Sequence, residues 1–146
     1  MTRSQPALPT RYLDLLFFVG FALLACHELD AVAQAEWRLL PFLSQMADED
    51  AYTVFVFLHV PLFALLMWWT ASTSALVRFR AQLSVDAFMV IHVGLHMLFR
   101  SHADYTFHSA LSQVCIFGAG AVGLAHAPLA MRARNGSIPH QSQRPA

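Results

Sequence analysis

Five of the eight histidines in this chain, His27, His59, His92, His96 and His126, lie inside long apolar runs. Two more, His102 and His108, flank the gap between the last two runs. Glu28, Asp30, Glu36 and Arg100 stand beside them in sequence. Imidazole and carboxylate together serve two kinds of chemistry: holding a transition metal, or passing protons. A charged side chain at the centre of a bilayer helix costs about 2.5–3.5 kcal/mol on insertion scales, so ionisable groups at such positions mark function by default. His92 and His96 are four residues apart and share a helix face, the spacing by which one helix offers two metal ligands. His27 and His59 are the further candidate ligands, with zinc or iron as the candidate metal. Glu28, Asp30 and Glu36 are the candidate catalytic carboxylates, as ligand or proton acceptor. A proton relay or pH-sensing network without metal is the non-enzymatic alternative, and haem held by a histidine pair is a third reading.

The elements that must position these residues are apolar segments at about 12–32, 52–71, 83–99 and 107–131. Each fits the roughly 17–25 residues of a membrane-spanning helix. The chain is 57% hydrophobic and 12% charged, where a soluble domain carries about 25% charged residues. An all-α bundle of four transmembrane helices follows, forming one domain over residues 1–131. The polar stretch 132–146, with Asn135-Gly136, Pro139 and Pro145, reads as a disordered cytoplasmic tail. Every basic residue is arginine, and seven of the nine fall on one side: Arg3, Arg11, Arg78, Arg80, Arg132, Arg134 and Arg144. The connection after the first segment carries Glu36, Asp48, Glu49 and Asp50 against Arg38 alone. The positive-inside rule then places both termini in the cytoplasm, with Arg78 and Arg80 in the cytoplasmic loop. Zero net charge gives no reason to expect a nucleic-acid partner. The expected partners are the lipid bilayer and further copies of the chain.

No Gly or Pro interrupts 22–40, so the first helix is expected to run on to Pro41. On that unbroken helix His27, Asp30, Gln34 and Arg38 form one stripe, and Glu36 faces the opposite way. Glu36 joins the histidines only if the helix bends. Trp37 reads as an interfacial anchor and Arg38 as a residue snorkelling to headgroups. Antiparallel packing brings His27, His59, His96 and His108 to one depth. Asp86 is expected to cap its helix or pair with Arg78 or Arg80, and His126 to stand apart from the cluster.

Two motifs carry less than their letters suggest. Gly118-Ala-Gly120-Ala-Val-Gly123 matches a dinucleotide-binding fingerprint, but it lies within an apolar span rather than between strand and helix. It reads as a close helix-packing face. Leu23-Leu24-Ala25-Cys26 resembles a lipoprotein cleavage box, yet Asp14 interrupts the apolar stretch before it, and an uncleaved first helix is the plainer reading. Cys26 and Cys115 are expected as unpaired thiols.

The boxes His27-Glu28-Leu29-Asp30-Ala31, Glu36-Trp37-Arg38 and His59-Val60-Pro61-Leu62-Phe63, followed by His92 and His96, resemble those of an uncharacterised family of small bacterial four-helix membrane proteins. The resemblance covers roughly 16–123. It implies an integral membrane protein and supplies no reaction. A looser similarity to membrane hydrolases that hold zinc between helices is analogy only, because those have about seven spans and another ligand order.

Overall fold

A computed structural model describes residues 10–136. Among them are four α-helices, two 3₁₀ turns and no strand: α1 (Thr10–Ala33), α2 (Asp48–Thr70), α3 (Ala75–Phe99) and α4 (Ala110–Gly136), with the turns Glu36–Leu39 and Leu43–Gln45 between α1 and α2. Each of the four helices is long and apolar enough to cross a membrane. Large apolar side chains such as Phe57, Trp68, Leu98 and Leu124 point outward, as they do when the solvent is lipid.

α4 packs closely on both α1 and α3, and its glycines make this possible. A Cβ on Gly120 would stand 2.5 Å from Val93 Cγ2, and one on Gly123 would stand 2.9 Å from the Asp86 carbonyl oxygen. The fingerprint-like stretch is therefore a packing face. α2 is the most peripheral helix, with only Ala51 and Phe55 buried. Two apolar clusters form the interior. One gathers Ala31, Trp37, Leu39, Phe55, Tyr105, Phe107 and Ile116; the other gathers Phe17, Leu24, Val85, Met89 and Ala119.

The observed helices differ from the expected spans in instructive ways. α3 begins eight residues before position 83, because the Ser74 hydroxyl caps the Val77 amide at 3.5 Å and starts the helix there. Arg78 and Arg80 thus lie on the helix rather than in a loop, and Arg78 donates to the Ser72 carbonyl at 3.0 Å. The charge that ended the apolar run did not end the helix. α2 starts at Asp48, where Asp48, Glu49 and Asp50 in its first turn suit the positive end of the helix dipole. α4 continues to Gly136; the rest of the tail, 137–146, lies outside the described residues, as does 1–9.

The largest departure is at the end of α1. The helix does not continue to Pro41; it stops at Ala33, and Ala35 takes a left-handed conformation with φ 55° and ψ 46°. Thr106 Oγ1 donates at 3.0 Å to the Gln34 carbonyl, one of those freed by the break. The 3₁₀ turn that follows buries Trp37 and Leu39 in the apolar cluster. Tertiary burial of these two side chains outweighs the local helical preference of the alanine-rich sequence.

Candidate metal centre

The break at Ala35 turns the chain back over the end of α1, and this brings Glu36 onto the His27 face. His27 from α1 meets His92 and His96 from α3, and the three Nε2 atoms converge. His27 and His92 Nε2 are 2.7 Å apart, His92 and His96 3.1 Å, and His27 and His96 3.3 Å. Glu36 Oε2 lies 3.5 Å from His27 Nε2, and Oε1 lies 3.8 Å from His96 Nε2. One ligand atom from each of His27, Glu36, His92 and His96 falls within 4.8 Å of every other. The histidines are almost fully buried and Glu36 is 12% exposed.

A neutral ring nitrogen offers either one N–H or one lone pair. Three that face one another can make one good hydrogen bond, and the third then meets a second proton or a second lone pair. A cation at the centre satisfies all three lone pairs. With metal–nitrogen bonds of about 2.0–2.1 Å, tetrahedral ligand nitrogens stand about 3.3 Å apart and right-angled ones about 3 Å. The observed 2.7–3.3 Å is close to those spacings. Haem suits the arrangement poorly, because axial imidazoles must approach an iron from opposite sides, whereas these converge from one.

The surroundings orient the group. His96 Nδ1 is 3.3 Å from Tyr105 Oη, the kind of outer contact that fixes a ligating ring. Phe107, fully buried, packs edge-on against the His96 ring at 4.7 Å and lies 5.5 Å from that of His27. His27 Nδ1 and Asp30 Oδ2 are buried with no hydrogen-bond partner. Burial pushes the Glu36 carboxyl up, but the His27 contact and the charges of His27, His92 and His96 outweigh burial and hold it below the ordinary carboxylate value.

The remaining expected site residues fall into separate places. His59 is not in the four-residue group; its Nε2 lies 2.9 Å from Glu28 Oε2. Asp30 accepts from Gln34 Nε2 at 3.3 Å. His108 is exposed and packs edge-on against Tyr105, and His102 is exposed beside Asp104. Arg38 stands outside the cluster and clasps both oxygens of Asp48 at 2.8 and 2.7 Å. Trp37 is buried and donates to Asp48 Oδ1 at 3.0 Å. Asp86 reaches neither Arg78 nor Arg80. It accepts from His126 Nδ1 at 2.7 Å, a fully buried pair between α3 and α4 that stands apart from the four-residue cluster. Both cysteines are free thiols.

A cavity of about 220 Å³ borders the cluster. Glu28, Glu36, His59, His92 and His96 form its polar wall, and Leu39, Leu40, Phe55, Leu62, Phe88, Leu95 and Phe99 form the rest. An apolar chain with a polar head matches that division.

Fold and site together define an all-helical protein whose four helices can cross a membrane and whose core holds a three-histidine, one-glutamate cluster able to bind a metal ion. The chain belongs to a family of unknown function, DUF6713, whose model matches residues 13–133. Neither the curated proteins nor the solved structures give a match.

Proposed function

We propose that this protein is an integral metalloprotein of the bacterial inner membrane, with both termini cytoplasmic. Its ion is held by His27, Glu36, His92 and His96. The convergence of three imidazole nitrogens and a carboxylate in an apolar interior carries this reading: the three nitrogens can make one good hydrogen bond among themselves, whereas a single cation engages all four ligand atoms at once. Zinc fits the nitrogen-rich donor set and iron is second; three imidazoles and one carboxylate suit both. The topology rests on the arginine bias toward the two tails and the α2–α3 end.

The reaction class we infer is hydrolysis of a lipid-like ester. An ion held by these residues with a coordination position left open would supply Lewis-acid polarisation of a carbonyl and an activated water, and the apolar part of the adjoining cavity suits an acyl chain. The proton-relay reading draws support from the Asp86–His126 and Glu28–His59 pairs, which need no metal.

Metal content separates the two. Detergent-purified protein is expected to carry metal in stoichiometric amount, and a His92→Ala/His96→Ala double variant is expected to lose it. Folded wild-type protein that takes up no metal would end the metalloenzyme reading and leave the relay.

A further inference from the structure

The cavity beside the four-residue cluster has a second pair of ligand-type side chains on its wall, His59 and Glu28. His59 Nδ1 donates to the Phe55 carbonyl at 2.7 Å, which fixes the ring and commits its Nδ1 proton. In the neutral ring Nε2 is then a lone pair, and it points at Glu28 Oε2 from 2.9 Å. A lone pair facing a carboxylate oxygen at that distance is bridged by a proton or by a metal ion. A backbone carbonyl on one ring nitrogen with the other left free is also how proteins set a metal-ligating histidine.

Charge supports the same conclusion. Glu28, Asp30 and Glu36 are three carboxylates in one apolar region, and among the described residues no arginine pairs with any of them, Arg38 being held by Asp48. One divalent ion offsets two of those charges and leaves the third. Glu28 and Glu36 both line the cavity.

We propose that Glu28 and His59 hold a second divalent transition-metal ion beside the first. This rests on the four-residue site proposed above and extends it to a two-ion centre. Paired ions clamp one oxygen-bearing group of a substrate between them, and the shared cavity places a polar headgroup at that point. The pair would thus contribute ligands rather than an isolated ion pair.

Zinc counting tests it. The full-length, detergent-purified protein is stripped with chelator, loaded with zinc chloride, desalted and analysed by mass spectrometry. Two zinc ions per wild-type chain are expected, and one in His59→Gln and in Glu28→Gln, with helical circular dichroism and elution volume unchanged. One ion in the wild type and in both variants would overturn the second site while leaving the first intact, the cation between His59 and Glu28 then being a proton. No zinc in any protein would overturn both. Should either variant misfold, titration of the wild type against a chromophoric chelator decides the matter: two binding phases support the two-ion centre and a single phase refutes it.

Discussion

Ala35 is where the reading of the site is most exposed to test. A non-glycine residue in the left-handed region costs about 1–2 kcal/mol. Glycine there escapes that cost but gives the unfolded chain more freedom, worth about 0.4–1 kcal/mol against folding. Ala35→Gly should therefore stabilise the protein by about 0.5–1 kcal/mol. If α1 instead ran unbroken to Pro41, the same change would fall inside a helix and destabilise it by about 0.8–1.0 kcal/mol. The sign alone distinguishes the two backbones, and the gap between them, about 1.3–2 kcal/mol, is roughly a factor of 10 to 30 in the unfolding equilibrium constant. Equilibrium unfolding in mixed detergent micelles, followed by circular dichroism, is the assay. A loss of stability of about 1 kcal/mol in the glycine variant would refute the break and, with it, the placement of Glu36 on the histidines. Ala35→Val provides the converse: a β-branched residue resists the left-handed region, so this variant should lose both stability and metal.

Other expectations follow from the same geometry. Tyr105→Phe removes the outer contact to His96 and should weaken metal binding roughly tenfold, the low end of such effects because the contact is long; a competition titration with a chelator reads it. Gly123→Ala drives a Cβ against the Asp86 carbonyl and should cost about 1–3 kcal/mol by the same unfolding assay, whereas Gly94→Ala meets nothing within 4 Å and should be neutral or better. Bound metal should be released on acidification, because protons compete with the ion for the three imidazole nitrogens, measured as metal content after dialysis across pH. Glu36, with its carboxyl held below the ordinary value, contributes stability that is present above the carboxylate range and is lost as pH falls through its folded pKa, so in metal-free protein Glu36→Gln should flatten the acid limb of a stability–pH profile.

Much of the site was readable from spacing. His92 and His96 share a face by their four-residue interval, and α1 and α3 bring His27 to their level. Glu36 was not readable in the same way. Ala-Gln-Ala-Glu carries no Gly, Asn or Pro to mark a break, and the left-handed turn at Ala35 exists only because Trp37 and Leu39 have an apolar cluster from α2 and the α3–α4 connection to enter. That cluster is assembled from residues as distant as Phe55 and Tyr105, so no local window contains the cause. Asp86 and His126 show the same limit: 40 residues separate them, and their meeting depends on how closely Gly120 and Gly123 let α4 approach α3. The helix ends extend past the apolar spans for a simpler reason. Hydropathy marks the apolar part of a helix, and Arg78 and Arg80 extend α3 beyond it.

The Asp86–His126 pair also decides whether the buried polar groups are one system or two. Met89, fully buried in the apolar cluster with Phe17 and Leu24, stands on α3 between Asp86 and His92. No polar side chain on that stretch of α3 links the two layers, so the pair should act as an independent structural element. Asp86→Ala leaves the His126 ring buried without its acceptor and should cost about 1–3 kcal/mol; Asp86→Asn, which can still accept from His126, should cost less. Neither should change the metal content. If Asp86→Asn, purified in folded form, did lose metal, the two layers would be coupled through the bundle, and the pair would have to be counted with the metal centre rather than with the packing of α3 on α4.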